Sequence, residues 1–299
     1  MLNSKTKKRM SGPGHGRQKN KRTVKVKSFS ARSWTCSIST ASSRKELEMN
    51  RTIAPRTKID LQFTITLPGT MAIGSGFPSG QIDRTVVQDL NGLPYIPAST
   101  LKGRVRDMAE RLAKTLGHDD ICNGPHPDFM CPARGRQKNP CLICRTFGAA
   151  GYSSMSGQTG LIWRDAQACD EHLKEIKVER QQEADDFFYA RTQVQLSRPR
   201  GIALAKHLFT VQNTVENLRF KGRVRGWQLG TPSTGGSFSN ELILLCASLK
   251  LLNFVGGSKS RGAGQCVLTL DQNIRIDEKD VPVNEVLQEI ARLSRRGGE

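Results

Sequence analysis

Strict alternation over residues 58–67, an amphipathic helix pattern opening near Ser99, and an apolar helix pattern from Asn240 that runs into a short strand predict an α+β fold of ferredoxin-like topology with large insertions. In "KIDLQFTITL" the residues Ile59, Leu61, Phe63, Ile65 and Leu67 share one face, the period of a half-buried strand. The Gly/Ser-rich "GTMAIGSGFPSGQ" then leaves the sheet as a loop, and "IDRTVVQDL" resumes an extended pattern. Asn91-Gly92 tolerates positive φ at both central positions of a tight turn, so "VVQDLNGLPYI" reads as a β-hairpin, with Pro94 confining its second arm to an edge.

Ser99 or Thr100 is expected to cap the following helix, in which Leu101, Val105, Met108, Leu112 and Leu116 form an apolar stripe. Lys102, Arg104, Arg106 and Arg111 lie away from that stripe. After a Cys-rich insertion, "GLIWRDA" reads as a short strand. Glu171, Glu175, Glu179 and Glu183 then recur every four residues, as on a solvated helix face. The stretch from Phe187 to Gly226 mixes aromatics, arginines and extended runs, as in a long protruding hairpin. Asn240 is expected to cap "ELILLCASLKLLNFV", which leads through "GGSKSRGAG" into the strand "QCVLTL".

The chain has 299 residues, 36% of them hydrophobic, enough for a sizeable core. Its formal net charge of +19 is uneven: residues 1–45 hold 13 Lys/Arg and no acid, leaving +6 for the remainder. That polar, basic segment is expected to be disordered. It fits a tail that supplements nucleic-acid binding, a transit peptide, or an upstream mis-assigned start with Met49 as the true one, the last being favoured. The expected division is therefore a tail over 1–49 and one domain over 50–299. No apolar stretch reaches the roughly 18 residues needed to span a bilayer, so no membrane partner is expected.

Four of the eight cysteines fall between Cys122 and Cys144, a spacing that suits metal rather than a disulfide framework and a reducing cytoplasm. A Cys-x2-Cys turn at Cys141 and Cys144 presents two thiolates to one ion. Cys131 with Cys122 or His126 would complete a tetrahedral zinc site: five candidates for four places. With four prolines between 125 and 140, this insertion over 120–146 has little apolar core, so structural zinc would supply its folding energy.

"GGSKSRGAG" allows close backbone approach to phosphate and adds Lys259 and Arg261, but matches neither a P-loop nor a dinucleotide fingerprint, and a plain helix-to-strand loop accounts for it equally. The helix start at Ser99 to Lys102 offers amides and an ammonium to a phosphate, against ordinary capping. Asp83 and Asp89 have no histidine partner, and such acids commonly pair with neighbours like Arg84 or Arg106. His118, His126, His172 and His207 show no catalytic context.

Together, "IDRTVVQDLNGLPYIPASTLKGRVR", "CLICRTFG" and "FVGGSKSRGAGQC", in that order, resemble the RAMP superfamily, specifically the backbone subunits of type III CRISPR effector complexes. The resemblance covers about residues 56–272, with "PAST" where "PGSS" is usual and a long Cys/His insertion. It implies an RRM-like core that polymerises along a CRISPR guide RNA, with copies or relatives of itself and other effector subunits as partners. A β-hairpin thumb, here about residues 170–213 with Arg191, Arg198 and Arg200 near its root, would kink the duplex of guide and complementary target RNA. The first strand offers only Phe63 for base stacking, which implies backbone-dominated contacts.

By the same resemblance Ser99, Lys102 and Arg106, with Gly256, Gly257, Lys259, Ser260 and Arg261, would face the guide backbone. Asp83 matches the position of the catalytic aspartate in members that cleave target RNA with a divalent metal, Mg2+ or Mn2+, whereas Asp89 would stabilise the hairpin and nearby arginines. The implied function is a metal-dependent endoribonuclease acting within a ribonucleoprotein. The alternative is a non-catalytic guide-binding subunit of the same complex.

Overall fold

The computed structural model of the chain describes residues 56–124, 126–136, 140–150, 160–169, 173, 187–230 and 236–294. The basic segment 1–49 and, apart from Leu173, the acidic repeat over 170–186 lie outside them. Alternation in the first strand, β1 (Arg56–Leu67), buries Ile59, Leu61, Phe63, Ile65 and Leu67, each at most 1% exposed. Burial of that kind contributes about 1.5–3 kcal/mol per large apolar side chain, which fixes the register of everything paired to β1.

Among the described residues, eight strands form one antiparallel sheet around β1. The strand β2 (Tyr95–Ile96) lies at one edge, on β4 (Ala166–Ala168), as Pro94 requires. Both β4 and β3 (Gly160–Trp163) pair with β7 (Leu218–Leu229). In turn β7 pairs with β1 along its whole length, from Arg56 opposite Leu229 to Leu67 opposite Leu218. On the other side of β1 lie β8 (Val267–Leu270) and β9 (Asn273–Ile276), and β10 (Lys279–Pro282) closes that edge against β9.

The longest helices packed into the core with the buried face of β1 are α1 (Ala98–Thr115), which buries Leu101, Val105, Met108, Ala109 and Ala113, and α3 (Asn240–Lys250). In α3 every residue from Glu241 to Leu249 is buried, as its continuous apolar run requires. Among the described residues, two shorter α-helices add to the same core, α2 (Leu142–Phe147) after the cysteines and α4 (Val283–Gln288) near the end. No helix among the described residues is long and apolar enough to cross a membrane.

Apart from the main sheet, β5 (Phe188–Ser197) and β6 (Ile202–Thr214) form a two-stranded antiparallel hairpin. Its turn is residues 198–201, where Pro199 and Gly201 break the extended runs. Arg198 and Arg200 therefore stand at the tip, not at the root as expected, while Arg191 lies along β5.

Several local expectations are corrected. Neither Ser99 nor Thr100 caps α1: Pro97 holds the cap position, and Asp165 Oδ1 accepts the Ala98 amide at 2.7 Å from 67 residues away. In α3 the cap is Ser239, whose hydroxyl accepts the Leu242 amide, and Asn240 is the first helical residue. In the turn at 89–93 only Gly92 has positive φ, 74°, because Asp89 Oδ1 closes the loop by accepting the amides of Asn91 (2.9 Å) and Leu93 (2.8 Å). "GLIWRDA" breaks into β3 and β4, and Phe254 and Val255 leave the helix to pair with Gln265 and Gly264.

Phe63 points into the core and is not available to bases. Its ring occupies the space beside Gly222, where an added Cβ would come within 2.4 Å of it. Gly222→Ala is expected to cost about 1–3 kcal/mol through overpacking, measured as a lower denaturant midpoint at unchanged slope.

Candidate nucleic-acid interface and cysteine cluster

Three separated segments converge on one groove of about 480 Å3. Thr100 and Arg104 come from the first turns of α1, Gly256, Gly257, Ser258 and Arg261 from the glycine-rich loop, and Arg84 to Val86 from the strand-like segment before the 89–93 turn. The hairpin supplies Gln193, Phe209, Val211 and Gln212 as a facing wall, and Ala72, Ile73 and Gly74 complete the lining. A second hollow of about 650 Å3 continues along β5, between Arg191 and Arg261.

The glycine-rich loop is shaped by its contacts with residues 70–73. Gly257 and Gly264 donate to the carbonyls of Ala72 (2.9 Å) and Thr70 (2.7 Å). Gly256 has φ 76° and packs so closely that a Cβ would fall 2.7 Å from Ala72 O. Between them Lys259–Arg261 form a single 3-10 turn that leaves Lys259, Ser260 and Arg261 exposed. Arg261 Nη1 donates to Gln193 Oε1, tying the loop to the hairpin.

Burial and the neighbouring Arg106 depress the Lys102 ammonium below the usual lysine range. Lys259 is depressed by burial and by Arg104. The part of this lowering that comes from a neighbouring guanidinium marks a positive field, the condition under which an anion is attracted. Ser99 is exposed at the start of α1, although Asp165 takes the first amide of that helix.

Arg106 is corrected. Its Nε pairs with Glu110 at 3.0 Å, its Nη1 donates to Gly148 O at 3.0 Å, and its Nη2 lies 4.0 Å from Cys144 Sγ, so it belongs to the cysteine side of α1. Arg104, two residues earlier, faces the groove instead and is anchored by Phe254 O (3.3 Å) and Asp107 (3.1 Å). Arg104 and Arg84 line the groove without having been singled out for it in the sequence, and the same holds for Asp165 as the acceptor of the first amide of α1. A cation ahead of Asp107 by three was the available signal for the first of these.

Asp83 is exposed but fixed. Its Oδ2 accepts the Thr210 amide of β6 at 2.7 Å, its own amide donates to Thr210 O at 3.0 Å, and Gln212 donates back to Arg84 O at 2.8 Å. The carboxylate is thus held against the hairpin, and its Oδ1 has no hydrogen-bond partner among the described residues. Asp89 stabilises its own turn, as expected, but pairs with no arginine among the described residues. Asp89→Ala is expected to cost about 1–2 kcal/mol of stability, because two amides lose their acceptor, with RNA binding unchanged in an equilibrium titration.

Cys122, Cys131, Cys141 and Cys144 bring their sulfurs within 4.8 Å of one another, all four buried. Hydrogen bonds from the Cys144 thiol and from backbone amides lower the Cys141 thiol below its usual range, whereas burial and its bond to Cys131 raise Cys122 above it. A zinc ion with bonds of about 2.3 Å sets tetrahedral edges of about 3.8 Å, so this donor set fits a metal of that kind. His126 is excluded from the cluster: it is exposed, and its Nδ1 accepts the Asp128 amide at 3.4 Å. His118 and His207 are structural, bonded to the carbonyls of Leu293 (2.7 Å) and Ala205 (2.8 Å). His172 lies outside the described residues.

The model of the RAMP superfamily matches residues 64–267. The chain is 30% identical over 217 residues to the CRISPR system Cms endoribonuclease Csm3 of Methanothermobacter thermautotrophicus, a match covering 68% of this chain and 77% of that protein. It is 26% identical over 216 residues to the protein of the same name from Methanocaldococcus jannaschii, covering 70% of this chain and 77% of that protein.

Proposed function

The chain belongs to the RAMP superfamily, and from that premise we propose that it is a guide-RNA-binding backbone subunit of a cytoplasmic type III CRISPR ribonucleoprotein that cleaves complementary target RNA. The observation that carries the reading is the convergence of two of the three motifs, the segment from Arg84 to the start of α1 and the glycine-rich loop, on a groove lined by Arg84, Arg104 and Arg261, with the Asp83 carboxylate fixed against its hairpin wall. The order β1, α1, β3/β4, β7, α3, β8, with β1 flanked by β7 and β8, supports a ferredoxin-like core. The β5/β6 hairpin is read as the thumb.

Guide phosphates lie on Ser99 and Lys102 at the start of α1 and on Gly256, Gly257, Lys259, Ser260 and Arg261, with Arg84 and Arg104 added. Arg198, at the hairpin tip, meets RNA or a neighbouring subunit beyond the groove. Sequence is read by pairing between guide and target rather than by protein side chains. The resemblance assigns a kink in that duplex to the thumb, and Asp83, bonded to the thumb strand β6, stands where a displaced target phosphate would pass.

Asp83 would help hold a divalent ion, Mg2+ or Mn2+, which would supply charge neutralisation at the phosphate oxygens. Asp83 offers Oδ1 to it, one carboxylate plus substrate phosphate being a common way to hold such an ion. The fixed carboxylate would position the splayed nucleotide for in-line attack by its own 2'-hydroxyl oxygen on the adjacent phosphorus, breaking the P–O5' bond to leave a 2',3'-cyclic phosphate and a 5'-hydroxyl, the 2'-hydroxyl proton passing to water and the 5'-oxygen taking one from it. Zinc at Cys122, Cys131, Cys141 and Cys144 is structural, since four thiolates leave no open position. Its net negative charge with four thiolates is offset by Arg106 beside Cys144.

Lys259→Ala/Arg261→Ala is expected to reduce co-purified guide RNA about tenfold, with Arg106→Gln leaving it unchanged; equal guide content in all three proteins would remove the groove assignment. A second reading, a guide-binding subunit that does not cut, is favoured by the Thr210 bond, which gives Asp83 a structural task of its own.

A further inference from the structure

The sheet face opposite α1 and α3 carries a row of cations. The period of two in β7 sends Phe220 and Val224 into the core and Arg219, Lys221, Arg223, Arg225 and Trp227 to the open face. Successive members of that row stand about 6.6 Å apart, similar to the step between phosphates of an extended single strand. Arg219, Lys221 and Arg225 are exposed and have no ion pair or side-chain hydrogen bond among the described residues.

Arg223 is held upright by Asp60, with Nε to Oδ1 at 2.7 Å. That bond, helped by Arg225 and Arg275 against the opposing effect of burial, keeps the Asp60 carboxyl below the usual range. Thr64, Thr269 and Gln167 lie beside the row in register, offering hydroxyls and an amide. Trp227, 48% exposed, ends it opposite Gly160, with Ile162 opposite Arg225. The centre of a protein–protein interface is depleted in charge, whereas a line of cations ending in an aromatic ring matches single-stranded nucleic acid. None of these residues lines the groove assigned to the guide.

We propose that this open sheet face is a second RNA track, on which the backbone of a single-stranded RNA runs along β7 with phosphates on Arg219, Lys221 and Arg225 and a base stacked on Trp227. The inference rests on the sheet alone and does not depend on the guide reading. The probe is a fluorescent oligouridylate without complementarity to the guide, titrated by anisotropy against the assembled complex. Lys221→Glu/Arg225→Glu is expected to weaken its binding at least tenfold and to reduce the salt slope by about 1.4, at about 0.7 per phosphate contact. Trp227→Ala is expected to weaken it about fivefold or more.

Guide content and melting temperature of the double variant should match wild type. Unchanged oligouridylate affinity overturns the proposal, including the case in which the variant instead loses a protein subunit, which would make the face a protein contact. Equal loss of guide overturns it too, by making the face part of the guide's seat. A complex that carries no guide yet loses oligouridylate binding in the variant would sink the guide reading and support this one.

Discussion

Asp83→Asn, assembled with guide and given complementary RNA and Mg2+, is expected to cut at least about 100-fold more slowly than wild type, since charge stabilisation at a metal-assisted phosphoryl centre is worth several kcal/mol. Asparagine keeps an acceptor for the Thr210 amide and removes the charge, so hairpin position and melting temperature should hold. Asp83→Ala removes both and is expected to lose about a further 1 kcal/mol of stability. Guide content should be the same in all three proteins. If Asn cuts like wild type while Ala does not, the residue acts only by holding β6. If neither differs from wild type, the subunit either does not cut or cuts through another group.

Loss of the cysteine cluster should have the largest effect on stability. Cys131→Ser is expected to bring bound zinc from one per chain to near zero and to unfold the segment around residues 120–146, because the apparent binding energy of such sites in small zinc domains is about 10–16 kcal/mol. His126→Ala should keep one zinc per chain, since its ring lies outside the cluster. Arg106→Gln is expected to retain the metal with a lowered melting temperature, as it ties α1 to the cluster through Gly148. Metal analysis paired with thermal denaturation separates these cases. A His126→Ala protein without zinc would overturn the four-cysteine assignment.

Legibility of the fold in the sequence followed the range of the forces involved. The alternation of Ile59 to Leu67 and the stripe from Leu101 to Met108 are local periods fixed by burial, and both elements form where the pattern places them. Caps are different, because Asp165 reaches the start of α1 only once β3 and β4 are in the sheet. The exchange of Arg106 for Arg104 has the same origin: the apolar stripe says which residues avoid the core, not which of two outer flanks meets the cysteines. The hairpin turn carries a local signal in Pro199 and Gly201, but the resemblance places Arg198 and Arg200 at the root of the hairpin instead. Alternating cations in "LRFKGRVRGW" were an equally plain period-two signal that the mixture of residue types around them obscured. The four cysteines were legible by spacing, and choosing Cys122 over His126 required coordinates.

The most direct test of the account is purification of the chain from its host with its bound RNA, followed by sequencing of that RNA. The account predicts RNAs of uniform architecture carrying CRISPR repeat-derived ends and spacer sequences. A mixture of cellular RNAs without repeat sequence would contradict it.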